Sequence, residues 1–315
     1  MHKEDIPLKR SILHLESLVT PRQAVEAIEA AVLSGIRVSH DPPRQVVQVA
    51  HGQLLLMPSE DGSYAGVKVA TVAPANPQSG LPRIQGQYLL FDAQTLTLVA
   101  TMDGVALTNL RTSAVSIAAI KPFLRSKTQQ LRVVCFGYGP QGRAHIDALT
   151  ETVDTTPETT WVARDSSRAR ASLGPDASLV TAGSMHANQV VAEADIVFCA
   201  TSAHQPLFDG DLPSDDAVVV AVGSHEPHVR EIDARLMRRA HVVVEDTATA
   251  LREAGDVIMA IDDGEISASD LIEMSDVITG RVQLEPNRPT VFKSSGMAWQ
   301  DLVVAAAAVD SGSRD

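Results

Sequence analysis

This chain has few aromatic residues, few cysteines and no excess of positive charge. Each of these features argues against a class of function. Aromatics make up only 3% of the 315 residues, which argues against nucleic-acid binding through stacked bases. The formal net charge is −13, which disfavours nucleic acid or an anionic membrane surface as a partner. We therefore expect neither of these partners.

Hydrophobic runs long enough to cross a membrane are also missing, since none approaches the roughly 20 residues that a spanning helix needs. Residues 1–5 lead into no apolar signal-peptide core, so we expect a cytoplasmic protein. The two cysteines, Cys135 and Cys199, lie in apolar segments and are interpreted as small core residues. No Cys/His spacing resembles a metal site, so no metal is expected.

The stretch from Leu131 to Leu149 carries the clearest motif. An apolar segment, Val133 to Phe136, precedes Gly137, Gly139 and Gly142 at G-x-G-x-x-G spacing, and an apolar-periodic helix follows. This order is typical of dinucleotide sites, where the glycines permit a tight turn, close approach of a pyrophosphate and close helix packing. An ordinary strand–loop–helix unit is the alternative interpretation.

Short apolar or alternating segments separated by turn residues fill the region between residues 45 and 102. A helix is predicted before them, over 20–33, and another after them, over 108–124. Such short strands are typical of an antiparallel or mixed sheet, so this part is predicted to be an α+β domain. The predicted strands are 45–49, 53–57, 64–72, 87–92 and 97–102.

From residue 131 onwards, strand and helix patterns alternate. Alternation predicts an α/β fold with a central Rossmann-type, doubly wound parallel sheet. The segment from Phe292 is predicted to be a loop and a helix of small residues that completes the N-terminal domain. We place the domains at 1–112, 113–290 and 291–315. The predicted strands are 133–136, 160–163, 178–181, 195–200, 217–222 and 241–245, and the predicted helices include 141–149, 185–193 and 231–238.

The residues after the second strand of the alternating region bear on the choice of dinucleotide. An acidic side chain there holds the ribose 2′-hydroxyl of NAD, whereas an arginine accepts the 2′-phosphate of NADP. Arg164 lies about 20 residues beyond the glycines, with Ser166 and Arg168 close to it. This favours NADP(H), with NAD(H) as the alternative if Asp165 takes the ribose. Arg168 can equally be an ordinary solvated helix charge.

Further motifs occur in the order found in a known family. Together with the glycine loop, they make the chain resemble the ornithine cyclodeaminase/mu-crystallin family over nearly its whole length. The motifs are Met57-Pro58, Gly66-Val67-Lys68, Asn76-Pro77, Gly80-Leu81-Pro82, Met102-Asp103-Gly104, Leu107 to Thr112, Ala221-Val222-Gly223 and Phe292 to Gly296.

The resemblance implies a homodimer joined through the N-terminal sheet, with the active site in the cleft between domains. It also implies that Arg44, Lys68 and Arg111 face the substrate. Two arginines and a lysine can hold an α-carboxylate by charge-assisted hydrogen bonds. Lys68 lies on an apolar strand, where burial can lower its pKa enough for proton transfer. A solvated edge charge is the alternative for this lysine.

The remaining candidate residues are predicted to bind the cofactor. Thr112, at the start of its predicted helix, can either cap the helix or bind phosphate. Residues at the ends of the fourth and fifth strands are expected to line the nicotinamide, and residues after Phe292 to close the site. The predicted cofactor contacts are Thr112, Gly137, Gly139, Gln141, Gly142, Arg143, Arg164, Ser166, Arg168, Ala200, Thr201, Ser202, Val222, Gly223, Lys293 and Gly296.

One position departs from the family pattern. Cyclodeaminases of the family carry an aspartate just after the fifth-strand Val-Gly, where it takes the substrate amine. Here His225 stands at that position, and Glu226 can substitute only if the loop turns. A histidine lacks the fixed negative charge but can give or accept a proton near neutral pH. Alternatively, it only hydrogen-bonds a backbone group.

These features favour an NAD(P)H-dependent oxidoreductase acting on the C=N or CH–NH bond of a small imino or amino acid. Relatives in the family reduce cyclic ketimines, pyrroline-2-carboxylate or piperideine-2-carboxylate, to L-proline or L-pipecolate. In that reaction Arg44, Lys68 and Arg111 bind the carboxylate, while His225 or Lys68 keeps the imine nitrogen protonated. One alternative is an NAD-dependent ornithine or lysine cyclodeaminase that releases ammonia. Another is a non-catalytic, nucleotide-gated small-ligand binder of mu-crystallin type.

Overall fold

The chain folds into two units whose strands belong to separate sheets. The computed structural model describes residues 12–13, 15–36, 41–124 and 129–312. The first unit comprises residues 1–111 and 297–315, and the second comprises residues 112–296. We predicted from the sequence that the chain returns to the first unit at residue 291. Residues 290–293 instead form a strand of the second unit's sheet.

A six-stranded mixed sheet forms the body of the first unit, in the order β1-β6-β5-β4-β3-β2. Only β1 and β6 pair in parallel among these described strands; the other neighbours are antiparallel. The predicted mixed sheet is thus confirmed, with each predicted strand present. The strands are β1 (Ile12–Leu13), β2 (Gln45–Val49), β3 (Gly52–Glu60), β4 (Tyr64–Val72), β5 (Ile84–Asp92) and β6 (Leu98–Asp103).

Two helices of this unit pack on each other, and one of them contacts the sheet. The first, α1 (Pro21–Leu33), begins with a capping box in which the Thr20 hydroxyl accepts the Gln23 N–H and the Gln23 side chain accepts the Thr20 N–H. The second, α10 (Ala298–Gly312), contacts α1 and also strands β3, β4 and β5. Short 3₁₀ turns occupy Leu15–Ser17 and Asn76–Ser79.

The long helix α2 (Gly104–Leu124) begins directly after β6. It starts four residues earlier than predicted because the Asp103 carboxylate accepts the free N–H groups of Val105 and Ala106, both at 2.8 Å. Residues to Arg111 belong to the first unit, and residues from Thr112 belong to the second.

Eight parallel strands form the sheet of the second unit, in the order β13-β12-β14-β11-β10-β7-β8-β9. The predicted parallel sheet is confirmed. Its strands are β7 (Arg132–Phe136), β8 (Glu158–Ala163), β9 (Ser178–Thr181), β10 (Ile196–Cys199), β11 (Val218–Ala221), β12 (His241–Val244), β13 (Leu271–Glu273) and β14 (Thr290–Lys293).

Strand β14 is the main difference from the sequence-based prediction, which treated this segment as a loop. It lies between β11 and β12 and hydrogen-bonds to both. All four of its residues are buried, and Phe292 contributes one of the largest fully buried side chains. The last strand in the chain therefore occupies the interior of the sheet.

The helices of the second unit follow the strand-to-helix alternation. Helix α6 starts at Ala234 rather than at the predicted Glu231, because the Asp233 carboxylate caps it by accepting the Leu236 N–H. A further 3₁₀ turn spans Ala268–Asp270. The helices are α3 (Pro140–Thr152), α4 (Ser166–Leu173), α5 (Met185–Glu193), α6 (Ala234–Arg239), α7 (Thr247–Glu253), α8 (Gly255–Asp262) and α9 (Met274–Ile278).

The two cysteines are buried on central strands, Cys135 on β7 and Cys199 on β10. Burial raises the pKa of both thiols, so they remain protonated core residues. Within the described ranges, no His, Cys, Asp and Glu side chains group into a metal site. None of the helices described is long and apolar enough to cross a membrane.

Candidate functional site

Lys68 lies at the centre of a buried polar cluster in the first unit. It occupies β4 between Met57 of β3 and Tyr88 of β5, and only 4% of its surface is exposed. Its Nζ atom donates to Asp301 Oδ2 at 2.7 Å and to Thr108 Oγ1 at 3.3 Å. The predicted alternative of a solvated edge charge is therefore wrong.

Arg111 approaches the same carboxylate from helix α2. Its Nε atom lies 3.4 Å from Asp301 Oδ1, and its Nη1 atom donates to Gln300 Oε1 at 2.7 Å. The Gln300 oxygen also accepts the N–H of Met297 at 3.2 Å. Asp301 and Gln300 are both fully buried at the start of α10, so two residues of that helix orient the cations.

Both positive and negative charges act on Lys68. Arg44, half-buried directly before β2, and Arg111 both lower the lysine's pKa through their charges, while Asp301 raises it. Burial is the largest influence, and together these effects lower the pKa of Lys68 from 10.5 to about 8. Two buried cations, Lys68 and Arg111, thus share the one Asp301 carboxylate, which is the electrostatic setting for binding an anion.

Asp301 and Gln300 were not predicted as site residues. Helix α10 was interpreted from its alanines and valines as a packing helix, and its side chains are indeed mostly buried. A charged residue is almost never buried unless it is paired. The aspartate and the glutamine in the first turn of this apolar helix were therefore the signal that the turn also binds other polar side chains.

The glycine loop of the second unit has the geometry that the motif predicts. Gly137 follows β7 at φ 97°, and a Cβ atom there would lie 2.3 Å from the Ala200 carbonyl oxygen. A Cβ on Gly142 would lie 1.9 Å from the Gly137 carbonyl oxygen, so the first turn of α3 packs directly on the loop. At Gly139, by contrast, an added Cβ meets nothing within 4 Å.

The N-terminus of α3 suits a pyrophosphate. It begins with Pro140 after Gly139, and no side chain of the described residues caps it. Its first N–H groups therefore have no acceptor within the helix and can bind an anion. The buried Thr112 Oγ1 atom also has no hydrogen-bond partner in the part of the chain described. These features fit the phosphates of a dinucleotide.

Two predicted cofactor contacts have a different local setting from that expected. Thr112 lies in the third turn of α2, not at its start, so it cannot cap the helix. Arg143 uses its guanidinium within the protein, donating to the Tyr138 carbonyl at 3.1 Å and to the Ser172 carbonyl at 2.7 Å. Gln141 lies in the first turn of α3, as predicted.

The residues after β8 lie where a ribose is expected. Arg164 directly follows the strand and is exposed. Asp165 caps α4 instead, because its carboxylate accepts the Arg168 N–H at 2.9 Å. Ser166 Oγ lies 2.7 Å from Thr181 Oγ1, and the Arg168 side chain is exposed.

A buried carboxylate joins the loops that follow β10 and β11. Glu231 Oε1 accepts the N–H and the hydroxyl of Thr201 at 2.8 and 2.7 Å, and Oε2 accepts the Gly223 N–H at 2.7 Å. Of the neighbouring predicted residues in the same loops, Ala200 and Val222 are partly buried and Ser202 is exposed. Glu231 was predicted only as a helix residue.

The predicted contacts after residue 292 are held within the second unit. Lys293 is buried on β14, where its Nζ atom lies 2.9 Å from Asp256 Oδ2 and donates to the Ser224 carbonyl at 2.7 Å. The Gly296 N–H donates to Glu245 Oε2 at 3.0 Å. Lys293 is therefore not part of the loop predicted to close the site, because its strand is in the sheet core.

His225 lies in the loop after β11 and its side chain is exposed. The neighbouring Ser224 shapes this loop, since its hydroxyl donates to the Val229 carbonyl at 3.1 Å. Glu226 is exposed as well, and its N–H lies 3.3 Å from Ser224 Oγ.

The sequence model of the ornithine cyclodeaminase/mu-crystallin family matches residues 6–314. The chain belongs to this family. It is 33% identical over 280 residues to ketimine reductase mu-crystallin of Mus musculus, covering 86% of this chain and 85% of that protein. The resemblance inferred from the motifs is thus confirmed.

Solved structures of other family members share the fold. A Thermococcus litoralis Δ(1)-pyrroline-2-carboxylate reductase in complex with NADH and L-proline matches with a TM-score of 0.80 at 26% identity, covering 95% of both chains. An archaeal alanine dehydrogenase dimer with bound NAD matches with a TM-score of 0.83 at 25% identity, covering 95% of this chain and 94% of that one. The chain is an enzyme of the ornithine cyclodeaminase/mu-crystallin family, and its second unit has the Rossmann-type fold.

Proposed function

We propose that this family member reduces a cyclic ketimine carboxylate, pyrroline-2-carboxylate or piperideine-2-carboxylate, to the cyclic amino acid L-proline or L-pipecolate. The observation that carries the proposal is the pair of buried cations, Lys68 and Arg111, that shares the single Asp301 carboxylate. The mouse relative is a ketimine reductase, and the Thermococcus relative binds L-proline, a cyclic amino acid with one carboxylate. Bound NAD(P)H supplies the hydride.

The cationic cluster supports carboxylate binding in particular. A buried positive charge is costly unless an anion pairs with it. Asp301 is already shared by Lys68 and Arg111, so a substrate carboxylate adds the second negative charge that these two cations require. Arginine offers bidentate hydrogen bonds for this purpose, and Gln300 fixes the orientation of the Arg111 guanidinium.

Proton supply is the second requirement, because a protonated C=N bond is far more electrophilic than a neutral one. A lysine with a pKa of about 8 is mostly protonated at neutral pH, yet it gives up its proton far more readily than an ordinary lysine. We propose Lys68 as the group that keeps the imine nitrogen protonated. His225 is the second candidate for this role, since an exposed imidazole can exchange protons near neutral pH.

NADP(H) is the proposed cofactor, with NAD(H) as the alternative. Capping of α4 occupies the Asp165 carboxylate, whereas the exposed Arg164 side chain follows the strand at which ribose specificity is set. The proposed cofactor contacts are otherwise the glycine loop, Thr112 and the loops after β10 and β11.

Purified protein mixed with pyrroline-2-carboxylate and NADPH tests the proposal. We expect consumption of NADPH and formation of proline. In Lys68→Met, turnover is expected to fall while NADPH binding is retained. Arg281→Met, which removes an exposed arginine paired with Asp276, serves as the control and should behave as the wild type. Retention of full activity in Lys68→Met would refute the assignment of Lys68.

Ornithine cyclodeamination is the alternative reaction, and the same preparation distinguishes it. Release of ammonia from ornithine with only catalytic NAD would replace the reductase proposal. His225 at the position of the family aspartate is the observation against it. Dinucleotide binding without turnover of any imino acid would instead support the ligand-binding role.

We also propose a homodimer formed through the first unit's sheet. Strand β2 is an edge strand, and Val46, Val47 and Val49 on it are 50, 43 and 48% exposed. An exposed apolar edge strand is normally covered by a partner. Light scattering should give twice the chain mass. Val47→Lys should yield monomers, whereas Gln48→Lys on the same strand should not.

A further inference from the structure

One buried carboxylate, that of Glu231, connects the two loops that follow β10 and β11 in the second unit. Glu231 is fully buried and ties the loop after β10 to the loop after β11 through Thr201 and Gly223. The three atoms that donate to it are two backbone nitrogens and a hydroxyl oxygen. Burial raises the pKa of the Glu231 carboxyl, whereas the hydrogen bonds from Thr201 and the charge of Lys293 oppose that rise and favour the ionised form.

The strand order assigns these loops to the nicotinamide half of a dinucleotide. Strands β8 and β9 lie on one side of β7, and β10 and β11 lie on the other, so the order reverses at β7. A dinucleotide binds across this point, and the residue after the second strand, here Arg164 after β8, holds the adenosine ribose. The nicotinamide then belongs with the ends of β10 and β11.

Negative charge exceeds positive charge beneath these loops. Asp256 accepts the Glu231 N–H at 2.7 Å and lies 2.9 Å from the Lys293 ammonium. Two carboxylates and one ammonium are thus grouped here, which leaves one net negative charge. The pKa of the Cys199 thiol at the end of β10 is raised by burial and by both carboxylates, and Lys293 opposes the rise.

We propose that Glu231 acts as an electrostatic positioning residue that favours the positively charged, oxidised nicotinamide over the neutral, reduced one. The inference rests on the proposed function, because it assumes a nicotinamide cofactor. Reduction moves a hydride, two electrons with one proton, from the ring to the iminium carbon, so the ring changes from neutral to positive. The ionised Glu231 carboxylate beneath the loops after β10 and β11 would stabilise that developing charge.

Binding of the two redox states separates this role from a purely structural one. We would measure the dissociation constants of NADPH and NADP⁺ by calorimetry for the wild type and for Glu231→Gln. The substitution keeps the side-chain size and removes the charge. We expect the ratio of the NADP⁺ dissociation constant to the NADPH dissociation constant to increase at least about fivefold. Only NADP⁺ loses a charge–charge attraction.

Glu245→Gln is the matched control. Glu245 is also a buried carboxylate with three hydrogen bonds, to Ser294, Ser295 and Gly296, after strand β12. It should change both dissociation constants by the same factor. If Glu231→Gln does not fold, Asp256→Asn removes the other negative charge and should shift the ratio in the same direction.

Equal changes in the two constants in Glu231→Gln, or in Asp256→Asn where that variant is used, would overturn the inference while leaving the proposed function intact. Failure of the wild-type protein to bind either form would refute the proposed cofactor, and the inference with it. A shifted ratio without turnover of imino acids would support the role of Glu231 and refute only the proposed substrate.

Discussion

Replacement of Asp301 by asparagine should move the pH range in which the enzyme works. The substitution keeps the shape of the side chain but removes the negative charge that Lys68 and Arg111 share at 2.7 and 3.4 Å. Lys68 then keeps the unfavourable influence of the Arg111 and Arg44 charges but loses the favourable influence of Asp301. We expect its ammonium form to become less stable, so that it loses its proton at lower pH.

The size of the effect follows from the burial of the pair. The pKa of Lys68 is already lowered from 10.5 to about 8, which corresponds to roughly 3 kcal/mol against the charged form. An opposite charge at this distance typically shifts a pKa by about 1–3 pH units. Loss of Asp301 should therefore lower the pKa of Lys68 by that amount. Breaking a buried pair should also destabilise the fold by about 3–5 kcal/mol.

The assay is the pH dependence of kcat/KM for ketimine reduction, which reports groups of the free enzyme. The wild type should lose activity as the pH rises through about 8, and Asp301→Asn should lose it about 1–3 pH units lower. Asp310→Asn is the control, because Asp310 lies on the same helix but is exposed and accepts a hydrogen bond from Tyr64. An alkaline limb that does not move in folded Asp301→Asn would refute the coupling.

Four further predictions concern the second unit. Arg164→Ala should raise the KM for NADPH about tenfold and leave that for NADH unchanged; equal effects on both would exclude a 2′-phosphate contact. Gly142→Ala should destabilise the fold by about 1–3 kcal/mol, because its Cβ would meet the Gly137 carbonyl oxygen. Gly139→Ala should spare stability and weaken dinucleotide binding, as calorimetry can show. Burial lowers the pKa of His145 from 6.5 to about 4. The unfolded chain therefore takes up a proton before the folded one, and the free energy of unfolding should fall by up to about 3 kcal/mol between pH 6.5 and 4. Urea denaturation should show that His145→Gln lacks this dependence.

Local patterns in the sequence were enough to predict most of the secondary structure. Strand β9 and helix α5 have the predicted bounds, 178–181 and 185–193, because apolar periodicity and capping residues are local signals. The glycine loop was predictable for the same reason. Gly137 has a positive φ, and a Cβ on Gly142 would meet the Gly137 carbonyl, so these two requirements are set within a few residues.

Contacts between residues far apart in the chain could not be predicted in this way. Strand β14 has four residues, and its partners β11 and β12 lie far before it in the sequence. Asp301 is similar, because a charge on a helix normally faces water. Its burial follows from Lys68 and Arg111, which come from a strand and a helix that lie far from it in the sequence.

The interior position of β14 affects the order in which the second unit can assemble. Strands β11, β12 and β13 leave the ribosome before β14, yet β11 and β12 have no hydrogen bonds with each other and are joined only through it. Until β14 is synthesised, one side of β11 has no strand to hydrogen-bond with, and such unpaired edges promote aggregation. Completion of the nucleotide-binding sheet must therefore await almost the last part of the chain, and a nascent protein that stops before residue 290 would carry two incomplete half-sheets.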